Sequence, residues 1–130
     1  MYNNTIYNNQ QEGIQIGDPW SITTNTIIKN NISYANVISN DIRINGEAPG
    51  LISSNNILDG TNPLFINAAN LDFRLNSESP AINTGELLAE VTFDLDRNAR
   101  PQGSAYDIGA LEFNQSTIGL PKNVRILNVR

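Results

Sequence analysis

The sequence contains no cysteine and no histidine, and each absence removes a class of chemistry. Without cysteine there are no disulfides and no thiolate nucleophile, although this does not fix the cellular compartment. Without histidine the chain cannot use a Ser-His or Cys-His mechanism, and it has no imidazole ligand for a metal. Any chemistry of this chain must therefore use carboxylates, amides, hydroxyls, lysine or arginine.

Charge is scarce as well. Only 16% of the residues are charged, where about 25% is usual for a globular protein. The formal net charge is −5 and the sequence pI is near 4.5. No run of lysine or arginine occurs, so we expect no nucleic-acid partner, and binding of an anionic polysaccharide by charge alone is disfavoured. No apolar stretch is long enough to cross a bilayer, so we expect no membrane partner.

The chain is rich in asparagine and isoleucine, with 21 Asn and 17 Ile. The branched side chain of isoleucine packs well on a pleated strand. Asparagine tolerates the left-handed backbone region and hydrogen-bonds its own backbone, which suits tight bends. This composition predicts many short strands that are joined by sharp corners.

An Asn-Asn-apolar phrase recurs along the first half of the chain at a nearly fixed step. The successive steps lead from Asn4 to Asn25, from Asn9 to Asn31, and from Asn31 to Asn56. A step of this size is typical of stacked repeats, with two or three short strands in each coil. The pattern predicts an all-β solenoid in which isoleucine stacks inside and asparagine stacks on asparagine at the corners.

The chain divides into three regions by this pattern. Residues 1–60 carry the repeat and are predicted to form about three coils. Residues 61–113 lose the regular step, as a terminal repeat must when its outer face meets water, and are interpreted as a terminal coil and an irregular cap. Residues 114–130 are predicted to be a tail or an added edge strand.

Residues 62–113 also contain a set of short phrases that resemble a known group of proteins. The phrases are Asn62-Pro63-Leu64-Phe65, Asp72-Phe73-Arg74-Leu75, Ser79-Pro80-Ala81-Ile82, Asp94-Leu95-Asp96, Arg100-Pro101 and Asp107-Ile108-Gly109-Ala110-Leu111-Glu112-Phe113. They resemble the C-terminal region of secreted right-handed parallel β-helix repeat proteins, many of which are lyases that cleave alginate or chondroitin, or surface proteins. The chain departs from that pattern at Asn62 and Asn83, where Asp is usual, and at Arg97, where Gly is usual.

The resemblance implies a right-handed parallel β-helix, an extracellular or cell-surface location, and synthesis as part of a longer precursor. It implies that this segment is the non-catalytic C-terminal part of a carbohydrate-active or carbohydrate-binding protein, with catalysis in upstream coils. A polysaccharide is then the expected ligand. An open first coil predicts contact with upstream coils or self-association through the N-terminal end.

Asp18 and Asp41 are the strongest candidates for chemistry within the chain. Their separation is close to one coil, and the segment 14–18 can be overlaid on the segment 37–41. Carboxylates stacked about 5 Å apart would serve as acid and nucleophile of a glycosidase, or would bind Ca²⁺ together with carbonyl oxygens. The alternative is two aspartates in solvent-facing turns. A lyase would instead need a base such as Lys29 with Arg43 nearby, but their separation is well short of one coil and does not place them in one column.

Two weaker candidates remain. Asp94, Asp96 and Asn98 have the alternating oxygen spacing of a calcium loop but lack its glycine and its distal glutamate. Pairing of Asp96 or Asp107 with Arg100 is the alternative interpretation of that region. Trp20, the single tryptophan, follows Asp18-Pro19 on a corner loop. It is a candidate for stacking on a sugar ring, and the alternative is a residue that covers the core beside a loop.

Two hypotheses from different classes follow from these patterns. The first is the coil-and-cap segment of a carbohydrate-active or carbohydrate-binding protein, without a cofactor or with calcium. The second is a structural or adhesive surface module without catalysis. The first predicts aligned carboxylates or a Lys/Arg pair across neighbouring coils, and the second predicts outer faces of Asn, Ser and Thr alone.

Overall fold

The computed structural model describes residues 1–58 and 60–114, with the backbone alone for Asn40 and Asp41. Within these ranges the fold is all-β with a single 3-10 turn, Ala68–Asn70, and no helix there is long and apolar enough to traverse a bilayer. The eight strands are β1 (Thr5–Tyr7), β2 (Glu12–Ile16), β3 (Ile27–Lys29), β4 (Ile32–Tyr34), β5 (Ser39–Ile44), β6 (Ile52–Ser54), β7 (Phe65–Asn67) and β8 (Asp72–Leu75).

The first six strands form three parallel pairs, β1 with β4, β2 with β5, and β3 with β6. Their registers place Thr5 opposite Ile32 and Ile27 opposite Ile52. The chain therefore passes through the same sequence of strands twice and begins a third pass, and we call residues 1–24, 25–49 and 50–58 layers 1, 2 and 3. The expected all-β architecture with stacked short strands is confirmed at this level.

The asparagine doublets align between layers, although only one of the three expected steps is right. Asn31 stacks on Asn56 by donating its backbone N–H (2.9 Å) and its Nδ2 (3.0 Å) to the Oδ1 of Asn56. Asn4 stacks on Asn31 in the same way, at 3.0 and 2.9 Å. The expected steps from Asn4 to Asn25 and from Asn9 to Asn31 are wrong, because they join residues from different corners of the layers.

The interior of the layers is built from isoleucine. Ile14 and Ile16 of layer 1 and Ile28 of layer 2 are buried together, and Ile6 and Ile42 pack against them. Because successive side chains of a strand point to opposite faces, their neighbours point outwards. Each layer thus carries an inward and an outward set of side chains, and the outward set of β1 and β4 is also apolar.

The C-terminal half covers that outward face. Ile32 and Ile57 are buried against Leu75, Ala81 and Ile108 in a second apolar cluster. The expectation that this region closes the end of the stack stays a prediction, and the described contacts of the region lie elsewhere. It packs against the side of the layers, where the outward apolar column offers surface to bury.

The end of the stack at β5 remains open to solvent in the described part of the chain. Ile44 lies opposite Ile16, on the inward side, yet it is 47% exposed. An inward residue of an enclosed layer would be buried, as Ile16 is. The described C-terminal residues therefore leave this position uncovered.

An antiparallel hairpin of β7 and β8 begins the C-terminal half. Leu71, Phe73 and Leu75 alternate with polar residues, a pattern that is typical of a half-buried strand. The strand β8 begins at Asp72, and Leu71 lies in the turn before it at φ 60°. Phe73 packs on Tyr7 with ring centres 5.3 Å apart, and on Phe65 at 5.4 Å. These aromatic contacts join the hairpin to layer 1.

Candidate functional site

Trp20 stands on a corner loop that its own neighbours hold in place. The Asp18 carboxylate accepts a hydrogen bond from the Trp20 backbone N–H (2.9 Å), and the Asp18 carbonyl accepts one from the Ser21 N–H (3.2 Å). Gly46 of the next layer lies directly against this loop, so close that a Cβ there would be 2.6 Å from the Asp18 carbonyl oxygen. The indole is 94% exposed, so the residue does not cover the core.

Asp18 and Asp41 do not lie at the same level of adjacent layers. The overlay of segment 14–18 on segment 37–41 is wrong, because Ile14 pairs with Ile42 and Ile16 with Ile44, after a local irregularity that lengthens the step. Continuing that register places Gly46 beside Asp18 and leaves Asp41 about five positions away along the strand, or about 16 Å. The glycosidase and calcium hypotheses for this pair were based on stacked carboxylates, and the observed register does not stack them. Both hypotheses stay predictions.

Lys29 and Arg43 are each paired with a carboxylate and lie on different strand pairs. Lys29 Nζ lies 2.6 Å from Glu86 Oε1, and Arg43 is bonded to Glu12. The hydrogen bond from Lys29, with a second from Ser54, lowers the pKa of Glu86. A Lys29–Arg43 lyase pair is therefore not assembled by this geometry.

Asp94 and Asn98 form a closed turn. The Asp94 carboxylate accepts hydrogen bonds from the backbone N–H (2.7 Å) and the side-chain amide (3.0 Å) of Asn98, and from the N–H of Glu112 (3.0 Å). Both carboxylate oxygens are thus used to join this turn to the segment that ends in Glu112. Asp96 points to a different surface, where its charge acts on Arg74.

The described residues give no further evidence that this turn binds a metal ion. No group of three acidic side chains that could hold a metal occurs within residues 1–58 and 60–114. The calcium hypothesis for Asp94, Asp96 and Asn98 stays a prediction.

A buried ionic network lies at the centre of the C-terminal half. Arg100 donates to Glu112 Oε1 (2.6 Å) and to the carbonyls of Asp107 (3.1 Å) and Gly109 (2.8 Å). Its partner is Glu112, which corrects the expected pairing with Asp96 or Asp107. The Arg100 and Glu112 side chains are 1% and 0% exposed, so the pair is shielded from solvent screening.

Asp107 belongs to the same network through different atoms. Its carboxylate accepts backbone N–H groups of Asn83 and Phe113. Burial is the main cause that raises the pKa of Asp107, and the nearby negative charge of Glu112 adds to it. The network fixes the backbone of this segment, and the side chains of Arg100, Asp107 and Glu112 are all buried.

One groove adjoins layer 1 and was not found by sequence reasoning. It has a volume of about 560 Å³, and its lining combines apolar residues with three charged ones: Thr5, Leu71, Phe73, Leu95, Ala110, Leu111, Asp72, Arg74 and Asp96. Leu71 and Leu95 are 76% and 74% exposed. The alternation of apolar residues assigned Leu71 to a buried strand face, and only the hairpin turn places it on the surface.

Comparison of the chain with protein-family models, with curated proteins and with solved structures finds no match. Residues 114–130 are predicted to be a tail or an added edge strand, and all of them except Asn114 lie outside the described residues.

Proposed function

We propose that this chain is a non-catalytic module of an extracellular carbohydrate-binding protein, with a right-handed parallel β-helix as its scaffold. The handedness follows from the strong general preference of parallel strand connections for right-handed crossovers. The sugar-binding role is supported by the resemblance in residues 62–113 and by Trp20. The observation that carries it is the 94% exposure of an indole on a loop that Asp18 holds fixed.

The chemistry of this corner suits a sugar ring. An exposed indole face packs against the C–H face of a pyranose, and an adjacent carboxylate accepts its hydroxyl groups. The loop is already ordered by hydrogen bonds within itself and by the contact with Gly46. Little conformational entropy is then lost when a ligand binds.

The single tryptophan makes the test direct. Titration with alginate, chondroitin and neutral glucan oligosaccharides is expected to change the tryptophan fluorescence of the whole chain, because Trp20 is the sole source of that signal. Trp20→Ala is expected to weaken binding about fivefold, measured by calorimetry, since one aromatic stacking contact contributes about 1 kcal/mol. Phe93→Ala, which removes another exposed aromatic ring, should leave the affinity unchanged.

A structural or adhesive module is the second candidate, and the paired charges favour it. Lys29 and Arg43 are neutralised by Glu86 and Glu12 on the outer surface of the layers. If none of the three oligosaccharides changes the fluorescence, and Trp20→Ala binds them no differently from the parent chain, the carbohydrate proposal fails and this second candidate replaces it.

A further inference from the structure

The buried charges of the described residues lie together in the C-terminal half, and negative charge exceeds positive charge there. The buried charged side chains are three carboxylates and one guanidinium: Asp94, Asp107, Glu112 and Arg100. Arg100 bonds to the carboxylate of Glu112, but it reaches Asp107 only through the main-chain carbonyl. The carboxylate of Asp107 accepts backbone N–H groups and bonds to no cation of the described chain. A buried carboxylate without a cationic partner is unfavourable, so a cation that binds beside Asp107 would be stabilised.

A cleft of about 470 Å³ adjoins Asp107. This volume lies within the usual range of small-molecule sites. Besides Asp107 its described lining is uncharged, with two apolar residues and five small or polar ones: Ile82, Phe113, Ser77, Asn83, Gln102, Gly103 and Asn114. A negative group, an apolar wall and several side-chain amides therefore meet in one concave site.

Asn83 has a side chain that is held in place and a donor that is unused. Its backbone adopts a φ of 55°, and its Oδ1 accepts the Ala105 N–H (3.0 Å). Gly103 lies directly against this amide, since a Cβ there would be 2.2 Å from Asn83 Oδ1. Within the described chain Asn83 Nδ2 donates no hydrogen bond. The cleft thus contains one free donor in a fixed position.

Gln102 supplies the complementary acceptor. Its Nε2 donates to the Ala99 carbonyl (2.6 Å), and its backbone N–H donates to Glu112 Oε2 (2.8 Å), so the residue is anchored at two points. Its Oε1 accepts no hydrogen bond from any described residue. Because these polar side chains are already held, little conformational entropy is lost when a ligand binds to them.

We infer that this cleft binds an amino sugar, a pyranose ring that carries a primary ammonium group, as in glucosamine. The ammonium group lies against Asp107, and the C–H face of the ring packs on Phe113 and Ile82. One ring hydroxyl accepts from Asn83 Nδ2, and another donates to Gln102 Oε1. An apolar amine would leave both amides unpaired, and a neutral sugar would leave the charge of Asp107 uncompensated.

This site goes beyond the proposed function, because it does not include Trp20. The Trp20 test is read by fluorescence, and the test of the cleft is read by NMR. Trp20→Ala is expected to bind glucosamine as the parent chain does. The cleft and the Trp20 corner can therefore fail independently, and a negative fluorescence titration leaves the test of the cleft intact.

Glucosamine is the probe for the cleft. It is added to the full-length, isotope-labelled chain at about pH 6.5, where amino groups are protonated and ordinary carboxyl groups are ionised. Amide chemical shifts are followed by NMR. The expected result is saturable shifts at Asn83, Gln102, Gly103 and Asp107, with a dissociation constant of about 10 mM or below. Saturable shifts elsewhere alone, or none at all, would overturn the inference.

Three other ligands separate the contribution of the charge from that of the ring. Glucose lacks the ammonium group, N-acetylglucosamine replaces it with a neutral amide, and n-butylamine keeps it but lacks the ring. Each is expected to bind about fivefold more weakly than glucosamine or worse, because each loses the ionic contact or the contacts of the ring. If any of the three binds as tightly as glucosamine, the assignment to an amino sugar is wrong.

A matched pair of charge changes in the protein tests the place of binding. Gln102→Lys puts a competing ammonium group at the cleft and removes the acceptor, so glucosamine should bind about tenfold more weakly. Gln15→Lys is the control, because Gln15 is also exposed and also donates its side-chain amide to a backbone carbonyl, that of Gly17 (3.2 Å). Both substitutions are at exposed positions, so neither should impair folding. Equal affinity of the two variants for glucosamine would overturn the inference.

Asp107→Asn tests the charge itself, through the preference between two ligands and not through stability. The folded variant is expected to lose the preference for glucosamine over glucose, because its amide carries no charge. A preference that persists in the variant would show that Asp107 does not bind the ammonium group, and the inference would be wrong. If this variant does not fold, the comparison of Gln102→Lys with Gln15→Lys decides.

Discussion

The two asparagines of each doublet have different backbone conformations and different partners. Asn3, Asn30 and Asn55 have positive φ values of 49°, 56° and 50°, in the left-handed region that asparagine tolerates better than other side chains. The residue that follows each of them belongs to the ladder that links the layers. The first asparagine therefore turns the corner and the second joins the layers, a division that composition alone did not reveal.

Asp107 provides a test at the residue scale, through the pH dependence of folding. Burial raises its pKa, so its contribution to stability is full below the unfolded pKa of about 3.9 and is lost as the pH rises through the folded pKa. Asp107→Asn lacks this titration. The excess stability of the parent over the variant should therefore be larger near pH 4 than near pH 7, as measured by urea unfolding at each pH.

The variant also changes the hydrogen bonds of this site. An asparagine amide presents one acceptor where Asp107 accepts two N–H groups, from Asn83 and Phe113, so some destabilisation is expected at every pH. The loss of a hydrogen bond lowers the stability of the variant at every pH, whereas the titration of Asp107 changes the difference between the two proteins with pH. A difference in unfolding free energy that stays constant from about pH 4 to about pH 7 would contradict the raised pKa.

At the scale of the elements, the strands are too short to be stable alone. β1, β3, β4 and β6 have three residues each. Each is held by a parallel partner strand and by the asparagine contacts at its end, and Lys29 of β3 and Ile32 of β4 form a further parallel bridge on the other edge. The layer and not the strand is therefore the cooperative unit. The side chain of Asn31 is fully buried and bonds to layers 1, 2 and 3 at once.

Asn31→Leu is expected to destabilise the chain by about 2–4 kcal/mol, because it leaves buried carbonyl and amide groups without partners. Asn70→Leu is the matched control, since Asn70 is exposed and ends the 3-10 turn of the hairpin. Its expected change is within about 0.5 kcal/mol. Chemical denaturation of both variants measures the difference, and equal stability of the two would show that the ladder contributes nothing.

At the scale of the whole molecule, two apolar clusters are joined by the layers between them. One lies inside the layers around Ile16 and Ile28, and the other lies between the layers and the C-terminal half around Ile32 and Ile108. Gly109 sits at the second contact with φ 99°, and a Cβ there would be 2.6 Å from Ile32 Cδ1. This close approach lets the C-terminal segment lie against layer 2.

Gly109→Ala is therefore expected to destabilise the chain by about 2–4 kcal/mol through both backbone strain and crowding. Gly60→Ala is the control for strain alone, because Gly60 also has a positive φ of 85° but no atom within 4 Å of its Cβ position. The crowding is measured as the difference in unfolding free energy between the two variants. Equal losses would mean that the C-terminal half does not pack closely on Ile32.

The sequence by itself determined the class of architecture, because the spacing of Asn31 and Asn56 and the excess of isoleucine follow directly from stacked short strands. It left Trp20 open between an exposed sugar-stacking residue and a residue that covers the core, and the structure places it on the surface. It did not determine the register, since the many asparagines offer several similar steps and only the pairing of Ile16 with Ile44 excludes the Asp18–Asp41 overlay.

The tertiary structure alone decided which face the C-terminal half covers and which charges meet. Arg100 had several carboxylates in the same half of the chain as candidate partners, and burial with Glu112 selects one of them. The groove beside Thr5 likewise exists because distant segments meet there. Short-range patterns report the repeat, whereas such contacts depend on how separate parts of the chain are brought together to bury apolar surface.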